Sequence, residues 1–184
     1  MPSAEVLDPL QWARNGESVE RLWAAWRLSY VTNDDRTDRE CPFCGLEQED
    51  PAEDQRRHVL YRGHYSAALL NRYPYSNGHV LVVPYNHCEA LDDLPTGVVQ
   101  DLHETLMIAV KALRISYQPD GLNIGMNMGS AAGAGIAAHL HYHVVPRWAG
   151  DTNFMPVVSQ TKVLPETLDM TWKKLKSSFE SLQT

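Results

Sequence analysis

Residues 139–145 read His-Leu-His-Tyr-His-Val-Val, with imidazoles at every second position. In a strand, side chains at i, i+2 and i+4 share one face. An extended 139–145 therefore lines up His139, His141 and His143 over about 13 Å, and turns Leu140, Tyr142 and Val144 to the opposite side, toward a core. Buried imidazoles need hydrogen-bond partners and lose stability without them. The fold must accordingly supply a core on one side of this strand and a polar, ring-accommodating site on the other.

The rest of the chain reads as α+β. "YSAALLNRY" (65–73) and "GHVLVVP" (78–84), separated by "PYSNG", predict an antiparallel hairpin. Val99, Leu102, Leu106, Val110, Leu113 and Tyr117 recur at spacings of three and four and predict a long helix over 96–117, with Thr96 as its N-cap. "LNIGMNMG" (122–129) alternates like a strand, and the small-residue loop "GSAAGAG" (129–135) leads into the histidine strand, which is expected to end at Pro146. Leu168, Trp172, Leu175, Phe179 and Leu182 predict a C-terminal amphipathic helix over 160–184, and Leu22, Trp23, Trp26 and Tyr30 a short helix in an N-terminal arm over 1–40. Residues 1–184 are expected to form a single domain, with strands segregated from helices.

The net charge of −7 argues against a general nucleic-acid or anionic-membrane surface, while leaving room for a small anion in a local pocket. The chain has no apolar run long enough to span a bilayer, no basic-then-apolar leader at its start, and three cysteines, too few for a disulfide framework. A cytoplasmic, reducing location is expected.

Three readings of the imidazole row stand side by side. It could be purely structural. It could hold a metal, although neighbouring positions on one face are about 6.6 Å apart and zinc–nitrogen bonds are only about 2.0–2.1 Å. Or the duties could be divided: one ring attacks, a neighbour handles protons or charge, and the third is structural. The Gly/Ala loop immediately before the row favours the third reading, because such loops let backbone N–H groups approach phosphate oxygens. Neutral imidazole is also a capable nucleophile toward phosphorus.

This pattern resembles the histidine triad (HIT) family, whose signature is His-φ-His-φ-His-φ-φ with φ apolar. "NGHVLVVP" (77–84) is similar to the family's Gly-His strand, and "LNRY" (70–73) to the segment before it. "RLWAAWRLSY" (21–30) and "PRWAGDTNF" (146–154) resemble the branch acting on diadenosine polyphosphates, especially the tetraphosphate phosphorylases. The resemblance implies an antiparallel HIT-like fold, a homodimer whose sheets join, and a nucleotide or dinucleoside polyphosphate substrate cleaved at the α-phosphorus through a nucleotidyl-histidine. It implies His141 as nucleophile, His143 at the phosphate and leaving oxygen, and His79 in support. Asn127 and Asn71 take the phosphate and ribose positions, with Gly129, Ser130 and Gly135 around the phosphate. Many members have Gln followed by Ser or Thr before the triad where this chain has Gly135 and Ile136, so phosphate contact shifts toward backbone amides and Ser130. His143 speaks against the uridylyltransferase branch, which has Gln there.

"CPFC" gives Cys41 and Cys44 the C-x₂-C spacing of a metal half-site. The alternative is a pair of free thiols near a turn. Zinc-bearing HIT proteins are similar in using two cysteines, a histidine after the Gly-His strand and the first triad histidine, which here are Cys41, Cys44, His87 and His139. Such a closed set suits structural zinc. His58 and His64 lack a supporting pattern, Cys88 reads as packing and His103 as surface. Magnesium is not demanded by these residues, although a polyphosphate substrate can bring it. The alternative from another class is a nucleotide-binding regulatory module with little turnover.

Overall fold

The structure is a computed structural model, and it describes residues 41–151 and 165–183. The arm expected to carry a helix near residues 18–31, and residues 152–154 of the "PRWAGDTNF" match, lie outside the described residues.

Five strands form one antiparallel sheet: β1 (Val59–Arg62), β2 (Ser66–Leu70), β3 (Val80–Pro84), β4 (Gly121–Met126) and β5 (Tyr142–Arg147), in the order β1-β2-β3-β5-β4. The helices are a single turn, α1 (Asp54–Arg57), the long α2 (Thr96–Tyr117) and the C-terminal α3 (Leu168–Ser181). The expected α+β architecture is therefore present. The hairpin is β2–β3, with Ala68 opposite Val82 and Leu70 opposite Val80.

One face of the sheet carries Leu60, Ala68, Leu70, Val80, Val82 and Val144, packed with Leu102, Leu106 and Leu113 of α2 and with Leu175 and Phe179 of α3. The other face carries Val59, Ala67, Leu69, Leu81 and Val83 under Phe43 and Leu46. Both faces are covered, so β2 and β3 are buried at every position. Asp101 of α2 ties helix to hairpin by accepting from the backbone N–H groups of His64 and Tyr65 and from the Ser66 hydroxyl at 2.6 Å. A Cβ on Gly63 would stand 2.9 Å from Thr105 Oγ1, so the close approach of turn and helix requires glycine there.

Four expectations are revised. Thr96 is the first helical residue of α2; Pro95 is the N-cap, and its carbonyl accepts from Val98 and Val99. The strand read over 122–129 spans Gly121–Met126, and 127–129 belong to the following loop. The histidine strand begins only at Tyr142 and continues through Pro146 to Arg147, so His139 and His141 precede it. The C-terminal helix read over 160–184 is Leu168–Ser181, with Thr167 accepting from Met170 N–H as its cap. Strand β1 was not anticipated. Among the described residues, no helix is long and apolar enough to cross a membrane.

Candidate functional site

The site grows from the approach to β5. Leu140 N–H donates to the Cys88 carbonyl at 2.7 Å, which extends the sheet's pairing without a regular strand. Leu140, Tyr142 and Val144 join the helix-side core as expected. The rings of His139 and His141 go to the opposite face, where Phe43 sits 5.2 Å from the first and 5.5 Å from the second, centroid to centroid. His139 is fully buried and His141 nearly so. His143 follows in β5 opposite Leu81 of β3 and Gly125 of β4, its ring 4.8 Å from that of His141.

Hydrogen bonds fix which nitrogen of each ring is available. His141 Nδ1 stands 2.8 Å from the carbonyl of His139. A carbonyl only accepts, so Nδ1 carries the proton and Nε2 keeps its lone pair. Burial pushes the His141 pKa below its ordinary 6.5, against the opposing effect of that carbonyl. The ring is thus held neutral, with the lone pair on Nε2.

A second chain begins at the turn between β2 and β3. Tyr75 N–H donates to His79 Nδ1 at 3.1 Å, and the Asn71 amide nitrogen lies 3.3 Å from the same atom. Asn71 Oδ1 accepts from Tyr73 N–H, which orients its NH₂ toward His79. In the neutral His79 ring the proton therefore sits on Nε2, which is 3.0 Å from His143 Nδ1. His143 accepts there, so its own proton is on Nε2, directed away from His79. Tyr75 lies nearly parallel to His143 at 5.8 Å. Tyr75 and Phe43 were not singled out from sequence; both sit next to recognised motifs, in "PYSNG" and "CPFC".

The substrate-contact candidates are more dispersed. Asn71 is beside His79, and Asn127 lines a groove that also touches His143. Gly129 and Ser130 lie in the loop after β4, where their carbonyls accept from Ala132 and Gly133 N–H in a tight turn. The N–H groups of Ala132 and Gly133 are therefore engaged within the turn, while Gly129 and Ser130 take part in it through their carbonyls and not their N–H groups. Gly135 lies between that turn and His139.

The four metal-ligand candidates converge. One ligand atom each from Cys41, Cys44, His87 and His139 lies within 4.8 Å of the others. Cys41 Sγ is 3.2 Å from His139 Nδ1, Cys44 Sγ 3.1 Å from His87 Nδ1, and Cys44 Sγ 3.8 Å from His139 Nδ1. Tetrahedral bonds of about 2.3 Å to sulfur and 2.05 Å to nitrogen put neighbouring S and N roughly 3.6 Å apart, which these distances bracket. His139 Nε2–H donates to the Pro84 carbonyl at 2.9 Å, leaving Nδ1 free to ligate and fixing the ring's orientation. Burial lowers the His139 pKa, which keeps that nitrogen unprotonated. The donor set fits a closed sulfur–nitrogen metal centre. The triad's three rings do not themselves form such a cluster: His139 faces the cysteines and His143 faces His79. His58 pairs with Asp169, His103 is exposed, and Cys88 packs against the main core.

An antiparallel sheet with a neutral, oriented imidazole, a supporting His–His pair and an adjoining Cys₂His₂ cluster defines a class: the α+β proteins of histidine-triad type. The model of the HIT domain matches residues 52–150, and the chain belongs to the HIT family. It is 34% identical over 170 residues to the AP-4-A phosphorylase of Mycobacterium tuberculosis, covering 89% of this chain and 86% of that protein. Among solved structures it is similar to a histidine triad nucleotide-binding protein from Sulfolobus tokodaii (26% identity, TM-score 0.60, 78% of this chain and 94% of that one). It is also similar to a Zn-bound histidine triad family protein from Mycobacterium smegmatis (27% identity, TM-score 0.56, 68% and 85%).

Proposed function

We propose that this protein is a nucleotidyl hydrolase or transferase that cleaves a dinucleoside polyphosphate, of the diadenosine tetraphosphate kind, at the α-phosphorus. The observation that carries the reading is the bond from His141 Nδ1 to the His139 carbonyl, which leaves Nε2 as a buried, neutral nucleophile. The likeness to a relative named AP-4-A phosphorylase supplies the substrate class.

In the first step the Nε2 lone pair of His141 bonds to the α-phosphorus as the bond from that phosphorus to the bridging oxygen breaks. The polyphosphate departs as an anion, its oxygen accepting a hydrogen bond from His143 Nε2–H, so no proton has to move. The phosphorylated ring is cationic, and its Nδ1–H bond to the His139 carbonyl becomes charge-assisted. In the second step water or inorganic phosphate displaces His141, breaking the P–N bond. Water must lose its protons to solvent; phosphate need not. His79, held by Asn71 and Tyr75 N–H, positions His143.

Cys41, Cys44, His87 and His139 are read as the ligands of a structural zinc ion, which would close a four-ligand cross-link and leave no position for substrate. Such thiolate ligands suit a reducing, cytoplasmic setting. The outer edge of β4 and the start of the loop after it, where Ile124 and Met128 are about half exposed, are read as the seam of a homodimer; light scattering that finds a monomer at working concentration removes that part.

The test is to trap a radiolabelled nucleotidyl adduct on the wild type and on His141→Asn. The adduct is expected only on the wild type. An adduct on the variant would falsify the assignment, and nucleotide binding without any adduct would identify a binding module. Products separate the acceptors: ADP plus ATP from diadenosine tetraphosphate means phosphorolysis, and AMP plus ATP means hydrolysis.

A further inference from the structure

We infer that the groove running along the β4–β5 seam from His143 to Arg147 is the subsite for the departing half of the substrate. In this reading the polyphosphate lies along the groove, and Gly125 and Arg147 set a preference for long leaving groups. The inference rests on the nucleotidyl-transfer reading and deepens it.

The groove has a volume of about 460 Å³ and begins at His143, the ring assigned above to the leaving oxygen. That size lies within the range of small-molecule sites. Its floor is set by strand register. His143, Val145 and Arg147 of β5 stand opposite Gly125, Asn123 and Gly121 of β4, so the six positions share one face of the sheet. Two of the six have no side chain.

Gly125 is informative because nothing local requires it. Its backbone is ordinary extended strand, without the positive φ that favours glycine. A Cβ built there meets no atom within 4 Å, so packing does not exclude a larger residue either. Glycine inside a strand weakens it. What its absence of a side chain provides is an open floor beside the His143 ring.

Arg147 stands four residues along the strand, about 13 Å from His143. Its Nε and one terminal nitrogen donate to Asp151 at 2.6 and 2.8 Å, and the other terminal nitrogen donates to Asn123 Oδ1 at 2.9 Å. These bonds use three of the five N–H groups of a guanidinium and fix its position in the groove lining. The remaining two, one on each terminal nitrogen, are left to donate to phosphate oxygens at the far end. Asn123 and Asn127 add amide groups along the way, and Tyr75 forms the wall beside His143. A leaving group of several phosphates entering at His143 would cross Gly125 and reach Arg147. A small leaving group would end before it.

The experiment compares two substrates that share the same His141 adduct: diadenosine tetraphosphate, and an adenylate ester whose leaving group is p-nitrophenol. Arg147→Met is expected to lower kcat/KM for the tetraphosphate by about tenfold or more, mainly through KM, as loss of charge-assisted hydrogen bonds would. The ester should be unaffected, and Arg147→Lys should recover part of the loss. Gly125→Val should act in the same direction on the tetraphosphate alone, and it carries the test by itself should Arg147→Met fail to fold. Equal losses on both substrates, with or without a change of oligomeric state by light scattering, would overturn the subsite, as would no loss on either. A wild type that forms no adduct from either substrate refutes the underlying function; a wild type that cleaves both, with the ratio unchanged in the variants, refutes the subsite alone.

Discussion

The Nδ1 proton of His141 is committed to a backbone carbonyl, and burial disfavours adding a second proton at Nε2. Its folded pKa is depressed, so the neutral, nucleophilic form persists below pH 6.5. The acid limb of kcat/KM is therefore expected to fall below the ordinary imidazole value, and a limb centred above 6.5 would contradict the burial argument. The same shift bears on stability. His139 and His141 are both depressed, first by burial, so the unfolded chain binds more protons as the medium acidifies. Their contribution is fully present above the unfolded value of 6.5 and is lost as pH falls toward the folded values. Urea midpoints measured at about pH 7.5 and about pH 5.5 should show the drop, and His141→Asn should reduce it.

At the scale of elements, α3 closes the sheet. Strand β1 is an edge, and an uncovered edge is a liability. Trp172 Nε1–H donates to the Val59 carbonyl at 2.8 Å and Lys176 Nζ to the Leu60 carbonyl at 3.2 Å, while Leu175 and Phe179 are fully buried beneath. Phe179→Ala is expected to cost about 3–5 kcal/mol, read as a lower urea midpoint with an unchanged slope; a cost below about 1 kcal/mol would mean α3 is only loosely docked. The elements that the sequence revealed are α2 and α3, through sustained periodicity, and the β2–β3 hairpin, through two aliphatic runs on either side of a turn sequence. Strand β1 is four residues long with only Val59 and Leu60 buried, so it offers neither an alternation nor an aliphatic run by which short strands are recognised. The histidine row kept its alternation of faces but not its strand. His139 must reach both cysteines and Pro84 while offering its carbonyl to His141, and the backbone before Tyr142 departs from the ladder to do so. The triad and the four-ligand set were legible because motif spacing encodes them. The roles of Phe43 and Tyr75 were not, since they depend on which rings the fold brings together.

Across the whole molecule, the Cys₂His₂ cluster links three distant parts of the chain: the 41–44 turn, the segment after β3, and the approach to β5. Phe43, inside that turn, fills the space beside His141, so the cluster also covers the nucleophile's far side. In the absence of metal, desolvation first and then the neighbouring Cys41 raise the Cys44 pKa, which favours the neutral thiol. A divalent ion reverses that preference by binding the thiolate, so metal binding and folding should be linked and pH-dependent. Cys41→Ser is therefore expected to abolish stoichiometric zinc, measured by mass spectrometry under native conditions, and to lower Tm; each kcal/mol lost corresponds to about 2–4 °C in a chain of this size. Cys88→Ser, whose residue packs against the main core and takes no part in the cluster, should retain the metal. X-ray absorption on the wild type should show mixed sulfur and nitrogen ligation. Nitrogen-only ligation, or full zinc occupancy in Cys41→Ser, would move the ion away from this cluster and remove the tie between the cysteine turn and the triad.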